Sequence, residues 1–129
     1  MRPDQRGKEL VLGMECAGTV VRVGSHVATI QVGDEVLAVA PHSMGAYVLT
    51  LADLVVAKPA TLSFEAAATV PIAYLTAYYA LHTLGRIRQG ERVLIHAAAG
   101  GVGLAAVHLA LRAGAVIFAT AETFTGRAC

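Results

Sequence analysis

Residues Arg92–Ala121, RVLIHAAAGGVGLAAVHLALRAGAVIFATA, decide the fold. The run Arg92-Val-Leu-Ile-His96 is short, apolar and carries two β-branched residues, which reads as a strand. Ala98-Ala-Gly-Gly-Val-Gly103 then makes a glycine-rich turn, and Leu104 to Arg112 has apolar residues at helical spacing. Gly114 stops that helix and a second apolar run, Val116 to Thr120, follows. The stretch is one βαβ unit. In it Ala98, Gly100 and Gly103 fall at the three positions of the G-x-G-x-x-G/A fingerprint, with alanine at the first. The first residue must be small for the tight turn, Gly100 lets a pyrophosphate approach the backbone, and Gly103 lets the helix pack close to the strand. N–H groups at the helix start and the positive end of its dipole then face the phosphates. A glycine-softened turn between two core elements is the competing interpretation. The strand before and the helix after favour dinucleotide binding.

The run HAAAGGVGLAAVHLA at 96–110, preceded by TVPIAYLTAYYALHTLGRIRQGERVLI at 69–95, resembles the enoyl reductase domains of modular polyketide and fatty acid synthases. These belong to the medium-chain dehydrogenase/reductase superfamily and are related to zinc-free quinone oxidoreductases. The similarity extends from about Leu12 to Ala121. A second motif is part of it: zinc alcohol dehydrogenases of the superfamily carry G-H-E-x-x-G-x-V-x-x-V-G, and Gly13, Glu15, Gly18, Val20, Val23 and Gly24 match it. Met14 stands where the zinc-binding histidine would be, and a thioether is a poor substitute for imidazole at a catalytic zinc. The four clustered cysteines of the structural zinc lobe are also absent from the sequence, so no metal is expected. The resemblance implies an α/β chain: a partial GroES-like β domain, residues 1–58, then an inter-domain helix and an incomplete Rossmann cofactor-binding domain, residues 59–129, holding its first βαβ unit.

Chain length agrees with a fragment. At 129 residues there is room for one ordinary domain, whereas an enzyme of this superfamily pairs a dinucleotide-binding domain with a substrate domain. A net charge of +1 with 15% charged residues and no basic run gives nucleic acid nothing to bind. Cys16 and Cys129 match no disulfide or metal spacing, so a reduced, cytoplasmic setting is the default. The uncharged stretches Ala66–Gly85 and Val93–Leu111 reach the length of a spanning helix. Pro71 and His82 in the first and the glycine turn in the second favour a buried helix and a buried parallel strand, since strands covered on both faces lose polar alternation. No membrane span and no signal peptide are expected.

Along the chain, Val11 to Gly24 alternates small, apolar and glycine residues as the strands and turns of a compact β domain would. Val32–Val39 pairs a tight turn with a strand, and Gly45–Thr50 is expected to supply another. The resemblance makes Glu15 a buried structural carboxylate and puts the loop of His42 near the active cleft. None of the five histidines shows ligand spacing to another, and His108 is expected to be packed or half-exposed. Leu54–Pro59 reads as a linker. Ser63 is a helix cap, Pro71 an interruption, and Ala73–Leu84 a helix between domains that Gly85 ends.

The cofactor-binding set is Thr76, Ala98, Ala99, Gly100, Gly101, Val102, Gly103, Thr123 and Arg127. Family position puts Thr76 at the nicotinamide carboxamide, with a threonine packed in an inter-domain helix as the alternative. The strand is expected to end near Ala121, an uncharged position where NAD-using relatives carry an acid, which favours NADPH, and Thr123 and Arg127 fit a 2′-phosphate. Glu122 and Gly126 oppose it, because a carboxylate repels phosphate and a lysine of related reductases is absent. The catalytic tyrosine, lysine and aspartate of related reductases have no counterparts here, so no catalytic residue is assigned. The expected role is part of an NADPH-dependent enoyl reductase acting on an enoyl thioester of an acyl carrier protein beside other synthase domains. The alternative is a non-catalytic remnant with weak nucleotide binding or association with another chain, as in a dimer.

Overall fold

The computed structural model describes residues 12–122, and the chain divides between Pro71 and Ile72 into two compact units. In the first unit, β1 (Glu15–Thr19), β2 (Glu35–Val39) and β3 (Val55–Ala57) form an antiparallel sheet with β2 in the middle. Register is set by the pairs Glu15↔Val39 and Thr19↔Glu35 on one side and Val36↔Ala57 on the other. The bonds Gly33 N–H to Val20 O and Val20 N–H to Asp34 O, both 2.9 Å, extend the pairing of β1 with β2. Leu37, Ala38 and Ala40 are buried, and helix α1 (Phe64–Ala68) lies against β1 and β2 through the buried Ala67. Ser63 caps that helix as expected, its Oγ accepting from Ala66 N–H at 3.2 Å.

Lys58 ties the end of β3 to the segment before α1. Its Nζ sits 3.0 Å from a Glu35 carboxylate oxygen, donates to Leu62 O at 2.7 Å and stands 5.1 Å from the Phe64 ring centre. The linker expected at Leu54–Pro59 therefore contains the third strand, and the strand expected at Gly45–Thr50 is not formed. The physical reason is burial. Tyr47 and Leu49 are 78% and 91% exposed, so this segment has no covered face that would reward pairing. Thr50 reaches β2 through its hydroxyl, which donates to Val39 O at 2.7 Å, rather than through its backbone.

Pro71, the last residue of the first unit, opens helix α2 (Pro71–Tyr78), where its lack of an N–H costs nothing, and the rest of that helix begins the second unit. The expected helix over Ala73–Leu84 is not uniform: from Tyr79 to Leu84 it widens into a π-helix. Gly85 closes it by donating to Ala80 O at 2.8 Å. A Cβ there would stand 3.0 Å from Ala80 O and 3.1 Å from Leu81 O, so any larger residue would crowd the carbonyls at the end of the wide turn. Strand β4 (Arg92–Ile95) then pairs in parallel with β5 (Val116–Ala119), in register Arg92↔Val116 to Ile95↔Ala119. Helix α3 (Gly101–Arg112) makes the crossover, and Gly114, at φ 72°, ends it in a conformation that favours glycine.

The core of this unit is Ile95, Ala98 and Ala110, with Leu81, Ile87, Val93, Val107 and Ile117 packed on it. Only one face of the β4–β5 pair is covered among the described residues. Leu94, Val116 and Phe118 on the other face are 58%, 49% and 54% exposed, so the expectation of strands covered on both faces does not hold within these residues. Seven of the nine buried core residues in the described chain are alanines, the others being Leu37 and Ile95. No helix among the described residues is long and apolar enough to cross a membrane.

Candidate functional site

The site grows from the end of β4. After Ile95 the chain turns through Ala97, which takes the left-handed conformation (φ 51°). The Ala97 carbonyl accepts the Gly100 N–H at 2.9 Å and closes the turn. Ala98 is buried and donates to Thr120 O at 2.8 Å, while Thr120 donates to Ile95 O at 3.0 Å. The turn is thereby held to the end of β5. His96 adds a side-chain tie, its Nδ1 lying 3.0 Å from Thr120 Oγ1.

Gly100 is the N-cap of α3, in extended backbone with no side chain to cap it. The first intrahelical bond there is Leu104 N–H to Gly100 O, 2.8 Å, so the N–H groups of Gly101, Val102 and Gly103 precede any intrahelical acceptor. A Cβ on Gly101 would meet nothing within 4 Å, and Ala99 and Val102 are exposed. The amide end of the helix is open. Gly103 is the opposite case: a Cβ there would run into the Ala97 carbonyl oxygen and stand 2.7 Å from Ala98 Cα. Helix and turn touch backbone to backbone at this point. Such an arrangement, bare backbone donors on a positive helix end, suits phosphate oxygens.

Ala98 to Gly103 thus come together in one turn. Thr76 is exposed on α2, and its hydroxyl has no hydrogen-bond partner among the described residues. Two residues earlier, the Tyr74 hydroxyl lies 2.6 Å from His108 Nδ1 on α3. His108 is therefore exposed and hydrogen-bonded rather than packed. Strand β5 ends at Ala119, two residues before the expected Ala121, and Ala121 and Glu122 are exposed beyond it. Thr123, Gly126, Arg127 and Cys129 lie outside the described residues.

Glu15 is half-buried rather than buried, because it is the first residue of β1 and sits at the end of the ladder. His42 is exposed in its loop with φ 64°. Met14 is 49% exposed, and no cluster of three or more His, Cys, Asp and Glu side chains with metal-binding placement occurs among the described residues. Cys16 is half-buried beside a cavity of about 330 Å³ in the first unit, and desolvation pushes its thiol pKa up. Ala97 and Thr120 are the site residues that the sequence reading missed. Alanine carries no left-handed signal and a threonine at a strand end carries no closure signal, so no pattern in the residues could have found them.

Residues 2–62 match the family model of the alcohol dehydrogenase GroES-like domain. A phenolphthiocerol/phthiocerol polyketide synthase of Mycobacterium tuberculosis is 48% identical over 119 residues, 92% of this chain and 5% of that protein. The crystal structure of the CurK enoyl reductase superposes with a TM-score of 0.85 at 53% identity, over 88% of this chain and 34% of that one. The Escherichia coli quinone oxidoreductase, solved in complex with NADPH, gives a TM-score of 0.76 at 41% identity over 88% of this chain and 35% of its own. The chain accordingly spans about a third of the solved reductases it matches and a twentieth of the mycobacterial synthase. On these likenesses the chain belongs to the enoyl reductase group of the medium-chain dehydrogenase/reductase superfamily.

Proposed function

We propose that this chain forms the phosphate-binding turn and part of the β domain of an NADPH-dependent enoyl reductase, one that saturates an α,β-unsaturated acyl thioester carried by an acyl carrier protein during polyketide or fatty acid synthesis. The observation that carries this reading is the turn at Ala98–Gly103. Its amide end is open at Gly101, and its closeness at Gly103 admits no side chain. Gly100 and the N–H groups of Gly101, Val102 and Gly103 would hold the pyrophosphate, and Ala98 and Ala99 would shape the turn around it. Thr76 would meet the carboxamide, and Thr123 and Arg127 the 2′-phosphate. When bound, the dinucleotide supplies a hydride for the β-carbon of the enoyl group. What the chain's own residues contribute is orientation of the dinucleotide. The uncharged Ala121 supports NADPH over NADH, as does the E. coli relative solved with NADPH.

In the setting of a synthase, the other synthase domains are its neighbours and the cytoplasm its compartment. Titration of the purified chain with NADPH and with NADH, followed by cofactor fluorescence and thermal shift, tests the reading. Saturable NADPH binding that a Gly100→Asp variant loses is the expected result. If neither cofactor binds, the chain is the non-catalytic remnant, a second reading that the exposed apolar face of Leu94, Val116 and Phe118 favours.

A further inference from the structure

We propose that Tyr74 and His108 form a positioning pair that holds helix α2 at a fixed setting against helix α3, and so aligns the nicotinamide contact with the phosphate cradle. The inference rests on the dinucleotide reading above.

Both helices carry one half of the proposed site. Thr76 lies on α2 and the open amides begin α3. Tyr74 and Thr76 are two residues apart, about 200° around the helix axis, so they lie on nearly opposite sides of α2. Tyr74 is half-buried toward α3 and Thr76 is exposed. On α3, His108 follows Gly101 by seven residues, roughly two turns, which puts both on the same stripe of the helix. The contact therefore joins the back of the nicotinamide-side helix to the stripe of α3 that ends in the amide cradle.

The bond is short, 2.6 Å, and the rings stand 6.2 Å apart at 32°, a tilted contact without stacking. Neither side chain belongs to the apolar core, which α3 enters through Ala106, Val107 and Ala110. The same core holds α2 and its continuation through the buried Ala77 and through Leu81; the Tyr74–His108 bond is a polar contact added outside that core. Its loss would change alignment between the two halves of the site more than it would change stability.

Binding of two ligands separates those effects. NADPH reaches both halves of the site, whereas 2′-phospho-ADP-ribose carries the same phosphates without nicotinamide. For Tyr74→Phe and for His108→Leu, the NADPH Kd should rise about fivefold, the worth of one hydrogen bond of about 1 kcal/mol. Affinity for 2′-phospho-ADP-ribose should stay within twofold of the parent chain. His108→Gln, whose amide can replace the ring nitrogen, should restore NADPH binding, and the double variant Tyr74→Phe/His108→Leu should be no worse than either single one. An equal loss for both ligands would make the pair merely structural and overturn the inference, as would no loss for either. A parent chain that binds neither ligand would overturn the dinucleotide reading itself. A parent chain that binds both, with variants of unchanged Kd ratio, would leave that reading standing and remove only the positioning pair.

Discussion

Replacing Gly103 by alanine is the sharpest test of how the turn is built. The added Cβ would overlap the Ala97 carbonyl oxygen and stand 2.7 Å from Ala98 Cα and 3.0 Å from the Ala97 carbonyl carbon, where ordinary contact begins at 3.4 Å. All three obstacles are backbone, so no side-chain rotation relieves them. The first turn of α3 must lift from the strand end by about 0.7 Å or more to reach ordinary contact. Overpacking of this kind costs about 1–3 kcal/mol, and the better helix propensity of alanine returns up to about 1 kcal/mol. Net destabilisation of about 1–2 kcal/mol should remain. Gly101→Ala is the control, since it sits in the same helical turn and its Cβ would meet nothing within 4 Å; it should be neutral or slightly stabilising. Urea unfolding followed by far-ultraviolet circular dichroism would measure both variants. Equal stability of the two would refute the claim that backbone contact between helix and turn demands glycine at 103.

Four further outcomes follow from other parts of the chain. Lys58→Met should lower stability by about 1.5–3 kcal/mol, because the Lys58 side chain is only 6% exposed and its ammonium bonds Glu35 and Leu62 O; Glu35→Gln, altering the partner whose side chain is 54% exposed, should cost less in the same urea assay. Glu65 is held below the usual carboxylate range by a bond from its own backbone N–H and then by the Ser63 hydroxyl, so its contribution to stability is present above the unfolded pKa and is lost as pH falls through the depressed folded one. In Ser63→Ala, carboxyl chemical shifts should show Glu65 titrating at higher pH than in the parent, beside a loss of about 1 kcal/mol from the missing cap. Cys16, whose thiol burial keeps protonated, should be alkylated by iodoacetamide more slowly at pH 8 than a cysteine in an unfolded peptide, and peptide mass mapping would detect the reverse. Glu122→Gln should tighten NADPH binding and leave NADH binding little changed, a pattern that parallel titrations would contradict if both cofactors responded alike.

Much of the chain from Pro71 onward was legible in its residues because its signals are local. Pro71 and Gly114 mark helix boundaries through backbone chemistry that neighbours cannot override, and the period change from Arg92–Ile95 to Leu104–Arg112 separates strand from helix. Signals failed where structure depends on a partner. Tyr47-Val-Leu49 has the composition of a strand, yet pairing goes to Val55–Ala57, whose backbone lies beside β2 and whose following Lys58 is clamped by Glu35. The π-helix at Tyr79–Leu84 and the left-handed Ala97 have no residue signature, and the Tyr74–His108 bond joins positions 34 apart in sequence. For the site, glycine spacing revealed which residues form the turn but not what ties it down, since Thr120 enters from the far end of the βαβ unit.

The alanine-rich core has a calorimetric consequence. Heat capacity rises on unfolding in proportion to the apolar area that becomes wet, and an alanine brings little such area out of the interior, whereas Leu94, Phe118 and several other large apolar side chains among the described residues are already half wet in the folded chain. The increment per residue should therefore fall below the roughly 12–15 cal/mol/K typical of globular proteins, with a broad, shallow melting endotherm. Any protein surface that covers the open side of β4 and β5 would dry those side chains in the folded state and steepen the endotherm. The heat-capacity increment is thus a direct gauge of how much of that face is covered.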